Sequence, residues 1–399
     1  MSTAPKGFRF ATACAGFRKE GRADLALLVS DVPAVAAGTF TQNRFPAAPV
    51  LVAKAMLAER PAARAVVINS GQANACTGDE GMRNCRTTQE LVAGALGLEA
   101  SDILPASTGV IGAQLKMDLW EKAAPALAAN LGKATPEDFA RAIMTTDAFH
   151  KISHREVSLP GGVVKLVGMA KGAGMICPNM ATMLVFITTD CAISPAMLQK
   201  ALSTDIANTF NMVSVDGDTS TNDMVTVLAN GLAGNAEITE EGADFTAFMQ
   251  ALNTVTVYLC RCIAGDGEGA TKLLECKVSG AETLDIAKTV AKSVICSSLT
   301  KAAMFGADAN WGRVLCAIGY SGAPVDVNKI DVQFASKAGT ILVCENGAGV
   351  DFSEEQAKKI LLEHEIEILI DLKSGSAAST AWGCDLTYDY VKINGDYRT

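Results

Sequence analysis

The residue types at Ala181 and Thr182 suit a self-cleaving nucleophile. A loop of glycines with a proline and an asparagine precedes them and an apolar run follows, in the stretch KGAGMICPNMATMLVFITTD from Lys171 onward. A threonine hydroxyl attacks poorly without a base, and its own α-amino group becomes that base once the preceding peptide bond is cut. With a pKa of about 7.7–8.0, a free α-amine is partly unprotonated at neutral pH. The small Ala181, the loop and the strand favour a cut before Thr182, although Thr182 could simply open a buried strand.

Two further segments carry groups that acyl transfer needs. The stretch PASTGVIG, residues 105–112, is predicted to present Ser107, Thr108 and Gly109 in a turn. A hydroxyl with an adjacent backbone N–H can stabilise an oxyanion, although the same residues could equally cap a helix. Lys171, eleven residues before Thr182, would favour the neutral amine and could pair with a substrate carboxylate, or it could simply be solvated.

Two other motifs suggest different chemistry. AGDGEGATKLL, residues 264–274, resembles a phosphate loop, but its lysine follows threonine instead of glycine. We interpret it as a glycine-rich turn between two strands, in which the Glu268 carboxylate can face a ligand closely. VSVDGDTSTNDMV, residues 213–225, resembles the loop of aspartate-dependent phosphatases, with Asp216 as nucleophile and Asp218 as acid. The alternative is a turn whose polar side chains satisfy the local backbone.

Composition limits the classes of partner. The chain has 399 residues, 49% of them hydrophobic, and its net charge of −9 makes binding to a phosphate backbone unfavourable. The N-terminus lacks a secretory pattern, and no apolar run approaches the length of a membrane-spanning helix. Twelve scattered cysteines without a C-x-x-C motif predict free thiols in a reducing cytoplasm. Three histidines give little support to a histidine-dependent nucleophile.

The elements that must position these residues alternate between helices and strands, which predicts an α/β layered architecture. Apolar spacing and capping residues predict helices that begin near Arg83, Leu115, Ser194 and Thr239, and one long helix over residues 283–306. Strands are predicted from Asp24, Pro49, Arg64, Thr182, Thr254 and Ala270, and over the tail from Cys384 to Thr399.

Blocks along essentially the whole chain resemble the glutamate N-acetyltransferase family, also called the ornithine acetyltransferases, of arginine biosynthesis. The stretch from Lys171 is similar to the self-cleavage signature of that family. The other similar blocks, in family order, are GTFTQNRFPAAPV, VVINSGQANACTG, STGVIG, IMTTDA, VDGDTSTNDM, GDGEGATK, FGADANWGRV and GCDLTYDYVKINGDYRT. The resemblance replaces the phosphatase interpretation, because VDGDTSTND becomes a family block.

The resemblance implies a self-processed acetyltransferase. It implies a cut into residues 1–181 and 182–399, which stay associated, with two such heterodimers as the assembly. The acetyl group of N-acetylornithine would move to Thr182 and then to glutamate with ping-pong kinetics, in the cytoplasm and with no cofactor or metal. Whether acetyl-CoA also serves as donor is left open. The implied fold is an α-β-β-α sandwich that resembles N-terminal-nucleophile hydrolases with distinct connectivity.

The resemblance also assigns site residues. Thr182 is the nucleophile, and Thr108 with Gly109 match the oxyanion-hole pair. The substrate contacts map onto Thr146 or its neighbour Thr145, and onto Lys171, Thr182, Glu268, Asn394 and the C-terminal Thr399. Since the tail is predicted to be a strand, we expect the terminus to form a wall of the site. The positions that depart from the usual family residues are Gln72, Ala173, Cys177 and Ala309.

Two alternatives to this interpretation remain. A related amidase or aminopeptidase of the same fold would hydrolyse the acyl-enzyme and release free acetate. An uncleaved, inactive homologue would only bind its ligand and would run as one chain on a denaturing gel.

Overall fold

The computed structural model describes residues 4–18, 21–177 and 183–395, in which fifteen strands and eleven α-helices lie. The strands are β1 (Phe8–Ala13), β2 (Leu25–Phe40), β3 (Ala62–Gln72), β4 (Ile103–Val110), β5 (Lys151–Leu159), β6 (Gly162–Lys171), β7 (Leu184–Thr189), β8 (Val213–Ser214), β9 (Met224–Ala229), β10 (Leu273–Ala281), β11 (Asp331–Ser336), β12 (Gly339–Glu345), β13 (Ala348–Gly349), β14 (Glu365–Asp371) and β15 (Ala377–Cys384). The helices are α1 (Ala48–Glu59), α2 (Gly78–Leu96), α3 (Met117–Ala129), α4 (Pro136–Ala142), α5 (Pro195–Ile206), α6 (Ala243–Gly265), α7 (Leu284–Cys296), α8 (Ser298–Phe305), α9 (Trp311–Gly319), α10 (Glu354–Leu361) and α11 (Tyr388–Gly395).

Sheet 1 has eight strands and carries most of the candidate site. Its order is β4-β3-β2-β9-β7-β6-β5, and β1 pairs with the first half of β2. The pairs β3–β4 and β7–β9 are parallel, and the other pairs are antiparallel. Helices cover both of its faces, since α1 to α4 pack on β1 to β6 while α5 and α6 pack on β2, β5 and β6. Strands buried on both faces read as nearly continuous apolar runs, and β7, with the sequence LVFITT, is buried at every position.

Sheet 2 has seven strands in the order β13-β12-β11-β14-β10-β15-β8. Helix α7 packs on β10 and β15, and α10 packs on β11. Helix α6 joins the two sheets, because it contacts β5 and β6 of sheet 1 and β10 and β15 of sheet 2. The predicted α/β class, built from layered sheets and helices, is confirmed. None of the helices in the described ranges combines the length and apolar character needed to cross a membrane.

The strand predicted from Pro49 is wrong, because this segment is helix α1. Pro49 lies in the first turn, where a proline costs no hydrogen bond and its fixed φ suits a helix. The helix buries Val50, Val52 and Ala53 against its neighbours. A short apolar run with β-branched residues cannot be distinguished from a buried helix by its pattern alone.

The strand predicted from Thr254 is also wrong, because α6 continues to Gly265. Val255, Leu259 and Ile263 recur every four residues and are fully buried, as on one face of a helix. The helix lies close to sheet 1 at Gly168, where an added Cβ would come within 2.7 Å of a Val255 methyl group. The glycine-rich turn at residues 266–272 therefore connects a helix to a strand, not two strands as predicted.

The tail forms helix α11 where a strand was predicted, and the last strand ends earlier, at Cys384. The Thr387 hydroxyl caps α11, since it accepts from the Tyr390 N–H at 3.3 Å and donates to the Gly269 carbonyl at 2.7 Å. The alternating pattern was misleading, because alternation indicates a strand only when one set of side chains is buried. Tyr388, which belongs to that pattern, is 84% exposed.

The long helix predicted over residues 283–306 is divided into α7 and α8 at Ser297. Ser297 has the extended conformation, with φ −70° and ψ 111°, and its hydroxyl accepts from the Thr300 N–H. A serine that caps the following helix thus interrupts an otherwise continuous helical pattern.

Three buried aromatic rings connect the elements that lead into the site. Phe139 of α4 makes edge-on contacts with Phe10 of β1 and Phe186 of β7, with ring centroids 5.8 Å and 5.7 Å apart. All three side chains are almost completely buried. Because α4 precedes the loop that carries Thr145 and Thr146, this cluster fixes that loop relative to sheet 1.

We expect Phe139→Ala to lower the free energy of unfolding by about 3–5 kcal/mol, through lost burial and the cavity left behind. Urea denaturation followed by circular dichroism measures the change. Phe45→Ala is the matched control, because Phe45 is 70% exposed, and its effect should stay within about 0.5 kcal/mol. Equal losses in the two variants would contradict a packing role for Phe139.

Candidate active site

A cavity of about 290 Å³ lies at one end of the strands of sheet 1, where β4 and β6 end and β9 begins. Its lining comes from five loops and strand ends and from helix α11. It gathers the predicted residues Thr108, Gly109, Thr145, Thr146, Lys171, Glu268 and Asn394, together with Val110, Ile111, Gly174, Met175, Ser220, Thr221 and Asn222. The predicted residues Ala181, Thr182 and Thr399 lie outside the described residues.

A larger groove, of about 840 Å³, lies over sheet 2 beside Lys277, Asp371 and Trp382. None of the predicted site residues within the described ranges lines it. We place the candidate site in the smaller cavity because the groups suited to acyl transfer converge there.

Thr108 and Gly109 are among the last three residues of β4. They belong to the strand itself and not to the separate turn that was predicted. Gly109 has φ 133°, a conformation that residues with a Cβ rarely adopt. A Cβ there would come within 2.2 Å of the Gly71 carbonyl carbon, because β3 and β4 approach closely. Only glycine therefore fits at this position.

Side-chain amides hold the ends of β3 and β4 together beneath Thr108. Asn222 donates to the Ala73 carbonyl at 2.6 Å and to the Ser107 carbonyl at 2.8 Å. The Ser107 hydroxyl donates to Asn69 at 2.6 Å. Both Asn222 and Ser107 are buried. These buried groups are paired, so they fix the backbone on which Thr108 stands.

Lys171 ends β6 and donates from Nζ to the Thr108 hydroxyl oxygen at 3.2 Å. An ammonium has donors only, so this oxygen must accept, and the Thr108 hydroxyl proton is left to donate elsewhere. Burial lowers the pKa of Lys171, while the nearby Asp147 carboxylate opposes that change. The pair thus combines a buried cation with a hydroxyl oriented as a donor.

Glu268 also lines the cavity and accepts from the Asn394 side-chain amide at 2.8 Å. Its backbone N–H donates to the Ala173 carbonyl at 2.8 Å. A Cβ at Gly174 would come within 2.4 Å of the Glu268 carboxylate, so this glycine makes room for the charge. The cavity lining therefore includes both a cation and a carboxylate, as a zwitterionic ligand requires.

A buried ion network supports these residues, and the sequence did not reveal it. Lys151 has no solvent-exposed side-chain surface, and its Nζ lies 2.7 Å from Asp147 Oδ1 and 2.5 Å from Asp266 Oδ2. Asp147 also accepts from the backbone N–H groups of Gly172 at 2.6 Å and Thr145 at 2.9 Å. Lys171 and the Thr145 loop are thus both tied to one carboxylate.

The two carboxylates differ in their proton affinity. Burial alone would raise the pKa of Asp147, but Lys151 and Lys171 hold that pKa well below its usual range. Burial raises the pKa of Asp266, with Lys151 opposing the change. The i, i+4 spacing of Asp147 and Lys151 was visible in the sequence, but Asp266 is distant in the chain and only the fold brings it close.

Asp223 is a further buried acid near the cavity. Burial raises its pKa well above the usual value, although Ser220 and Lys171 oppose the change. Its Oδ2 atom has no hydrogen-bond partner among the described residues. It directly precedes Met224, whose N–H donates to the Met183 carbonyl at 2.9 Å. Asp223 therefore lies beside the first described residue after the 178–182 gap.

The last described residues before the gap are held by Asp216. Its carboxylate accepts from the backbone N–H groups of Met175 at 2.6 Å and Ile176 at 2.9 Å. It also accepts from the Asp218 N–H at 3.1 Å. Asp216 thus satisfies backbone donors, as the alternative interpretation of VDGDTSTND proposed, and positions Met175 at the cavity wall.

We expect Asp147→Asn to lower the free energy of unfolding at neutral pH by about 3 kcal/mol, because buried Lys151 loses a charged partner. A carboxylate whose pKa is lowered by folding stabilises fully above its unfolded pKa of about 3.9. That contribution declines as the pH falls below this value. Urea denaturation from neutral to acidic pH should therefore show the difference between the two proteins shrinking below about pH 4.

The control for this series is Asp118→Asn, since Asp118 makes a surface pair with Lys122 at 3.9 Å. Its effect should stay within about 0.5 kcal/mol at every pH. A difference between wild type and Asp147→Asn that is independent of pH would contradict the lowered pKa of Asp147.

The chain matches known proteins along its length. The sequence profile of the ArgJ family matches residues 9–399. The arginine biosynthesis bifunctional protein ArgJ of Nitratidesulfovibrio vulgaris is 54% identical over 400 residues, which cover 100% of both proteins. Its counterpart in Thermotoga neapolitana is 48% identical over 396 residues, which cover 99% of each.

Among solved structures, a chain of the arginine biosynthesis bifunctional protein ArgJ from Bacillus halodurans is 48% identical, with a TM-score of 0.52. The match covers 54% of this chain and 100% of that one. Similarity of this extent to the profile and to both full-length relatives shows that the chain belongs to the ArgJ family, as the sequence blocks predicted.

Proposed function

We propose that this chain is a self-processed enzyme that transfers acetyl from N-acetylornithine to glutamate through an ester on Thr182. Family membership makes it an acetyltransferase of arginine biosynthesis. The threonine ester, the cut before Thr182 and the individual site roles are the proposal. The observation that carries it is a single cavity lined by Thr108, Lys171 and Glu268 together with Gly174 and Met175, which precede the proposed cleavage site.

The flanks support a nucleophile at residue 182. Leu184, the first residue of β7, pairs with Lys171 on one side and with Met224 on the other. On the other flank, Gly174 and Met175 line the cavity. Thr182 is joined directly to Met183, and consecutive Cα atoms are only about 3.8 Å apart. The residue that would follow this nucleophile, Met183, accepts at its carbonyl from the Met224 N–H at 2.9 Å, and Met224 lies two residues beyond the cavity-lining Asn222.

The proposed reaction uses Thr182 twice. Its neutral α-amine takes the hydroxyl proton as the oxygen attacks the acetyl carbon of acetylornithine. The oxyanion that forms would accept from the Thr108 hydroxyl and from the Gly109 backbone N–H. Collapse breaks the amide bond, and the ornithine amine leaves with the proton held by the α-ammonium. Glutamate then attacks the ester through its amine, which yields acetylglutamate and restores the threonine.

The charges of the cavity suit these substrates. Both carry an α-carboxylate, which the buried Lys171 ammonium can bind, and we assign the ornithine side-chain ammonium to Glu268. Asn394 holds the Glu268 carboxylate at 2.8 Å, and we retain Thr146, with Thr145 as alternative, and Thr399 as further substrate contacts. A volume of about 290 Å³ suits a small metabolite.

The two pieces of a cut chain would remain associated through sheet 1. Strands β6 and β7 lie on opposite sides of the proposed cut and form an antiparallel pair. The same is true of β2 and β9. The solved chain from B. halodurans is matched over its full length, yet it covers only 54% of this chain. A chain of that length agrees with one of the two proposed pieces. We propose pieces 1–181 and 182–399, two of each per assembly, in the cytoplasm.

A second donor is favoured by the names of the relatives, which are called bifunctional. We propose that acetyl-CoA also esterifies Thr182, so that glutamate can be acetylated without acetylornithine. Incubation with acetyl-CoA and glutamate alone tests this donor by the appearance of acetylglutamate.

We expect Thr182→Ala to leave one full-length chain on a denaturing gel and to abolish acetyl transfer, because it removes the nucleophile of both steps. Wild type should give pieces that end at Ala181 and begin at Thr182, with labelled acetyl on the second piece. Thr246→Ala is the matched control, since Thr246 is an exposed residue of α6, and it should be cut normally. Acetyl on another side chain contradicts the proposal, and release of free acetate in place of acetylglutamate indicates a hydrolase.

We expect Glu268→Gln to raise the KM for acetylornithine roughly 10-fold to 100-fold, the effect of losing one charged hydrogen bond of about 1.5–3 kcal/mol. Steady-state kinetics on protein already cut, with glutamate saturating, measures the change. Glu282→Gln at an exposed position is the control. An unchanged KM for acetylornithine would remove Glu268 from the substrate site.

A further inference from the structure

Two thiols lie close together beside the proposed cleavage segment. The sulfur of Cys177, the last described residue before the gap, is 4.0 Å from the sulfur of Cys296. Cys296 is the final residue of α7, which packs on sheet 2. Both cysteines are free and only partly buried. A disulfide needs the sulfurs about 2.05 Å apart, so a shift of about 2 Å would join them.

The surroundings of the pair favour reactivity at Cys177. The hydrogen bond with Cys296 lowers the pKa of Cys177 to about 6; burial opposes this change, while Lys292 and Ser214 assist it. The same hydrogen bond and burial raise the pKa of Cys296. Lys292 is held in place because its Nζ donates to the carbonyls of Asn211 at 2.8 Å and Val213 at 2.6 Å. One sulfur is therefore suited to attack and the other to remain a thiol.

The backbone at Cys177 is anchored, which keeps the pair in reach. The Thr219 hydroxyl donates to the Cys177 carbonyl at 2.8 Å, and Ile176 forms a β-bridge with Thr219. The other cysteines differ: Cys260, Cys276 and Cys384 are buried, and burial raises the pKa of each. Cys316 is exposed and provides an internal reference.

We infer that Cys177 and Cys296 are a redox modification site, at which a peroxide converts the two thiols into a reversible disulfide. The Cys177 thiolate attacks one peroxide oxygen, the O–O bond breaks, and sulfenic acid and hydroxide result; the hydroxide takes up the proton that the Cys177 thiol had released, which gives the first water. Cys296 then attacks the Cys177 sulfur, the S–O bond breaks, and the second water leaves with the Cys296 proton. The two thiols lose two electrons in total, and one hydrogen peroxide becomes two waters.

The position of the pair gives this bond two consequences. The disulfide forms before Cys177 can take up a second oxygen. Cys177, two residues after the cavity-lining Met175, is therefore protected from irreversible oxidation. It also connects residue 177 to residue 296, which lie on opposite sides of the proposed cut. In a processed protein the disulfide would therefore join the two pieces covalently.

The test treats the full protein with hydrogen peroxide, blocks free thiols, and analyses unreduced peptides by mass spectrometry. Wild type should give a peptide linking Cys177 to Cys296 that dithiothreitol removes, and Cys177 should react roughly tenfold faster than Cys316. In Cys296→Ser the crosslink should be absent, and Cys177 should gain two oxygens that dithiothreitol does not remove. Cys316→Ser is the matched control and should crosslink as wild type does.

Two outcomes overturn the inference: both thiols stay open to alkylation after peroxide, or Cys177 gains two oxygens equally fast with and without Cys296. The peptide readout uses wild type, so it does not depend on how the variants fold. It also does not depend on the proposed cut. On a gel without reductant, a cut and crosslinked protein runs as one band that reductant separates, whereas an uncut protein runs as one band in both conditions.

Discussion

The side chain of Lys151 has no contact with solvent, and two carboxylates, Asp147 and Asp266, neutralise it. A buried ammonium without such partners would be very costly, so the three groups must come together for the chain to fold. They belong to the loop after α4, the start of β5 and the end of α6. Because Asp147 also binds the N–H groups of Gly172 and Thr145, satisfying one lysine sets the backbone on two sides of the cavity.

The cavity gains its chemical character from the strand ends that this network fixes. Lys171 ends β6 and Thr108 lies near the end of β4, and the two meet although β3, β2, β9 and β7 lie between their strands in sheet 1. Asn222, two residues before β9, bonds to Ala73 after β3 and to Ser107 of β4, so it ties the strand end that carries Thr108 to the middle of the sheet. Burial there strengthens electrostatic interactions with a ligand, since little water screens them.

Local signals in the sequence were sufficient for some elements and not for others. Helix α5 was predictable because Ser194 caps it and Pro195 opens it, both within one turn. Strand β7 was predictable because its apolar run is short and β-branched. The same β-branched pattern failed for α1 and the end of α6, where tertiary burial decides the conformation. The candidate site shows a similar division. The family blocks predicted Lys171 and Glu268, which line one cavity, whereas Lys151 and Asp266 are 115 residues apart and only the fold pairs them.

The place of the proposed cut follows from the sheet that surrounds it. Residues 172–183 connect β6 to β7, which are antiparallel neighbours. Among the described residues, the β6–β7 ladder pairs residues 166–171 with 184–189, so the connection holds none of these pairs, and β2–β9 pairing also crosses between the pieces. A cut within a strand would instead release unpaired backbone groups, which are costly to bury. A connection between two paired strands can therefore be broken while the strand that follows the proposed cut, β7, stays fixed between β6 and β9.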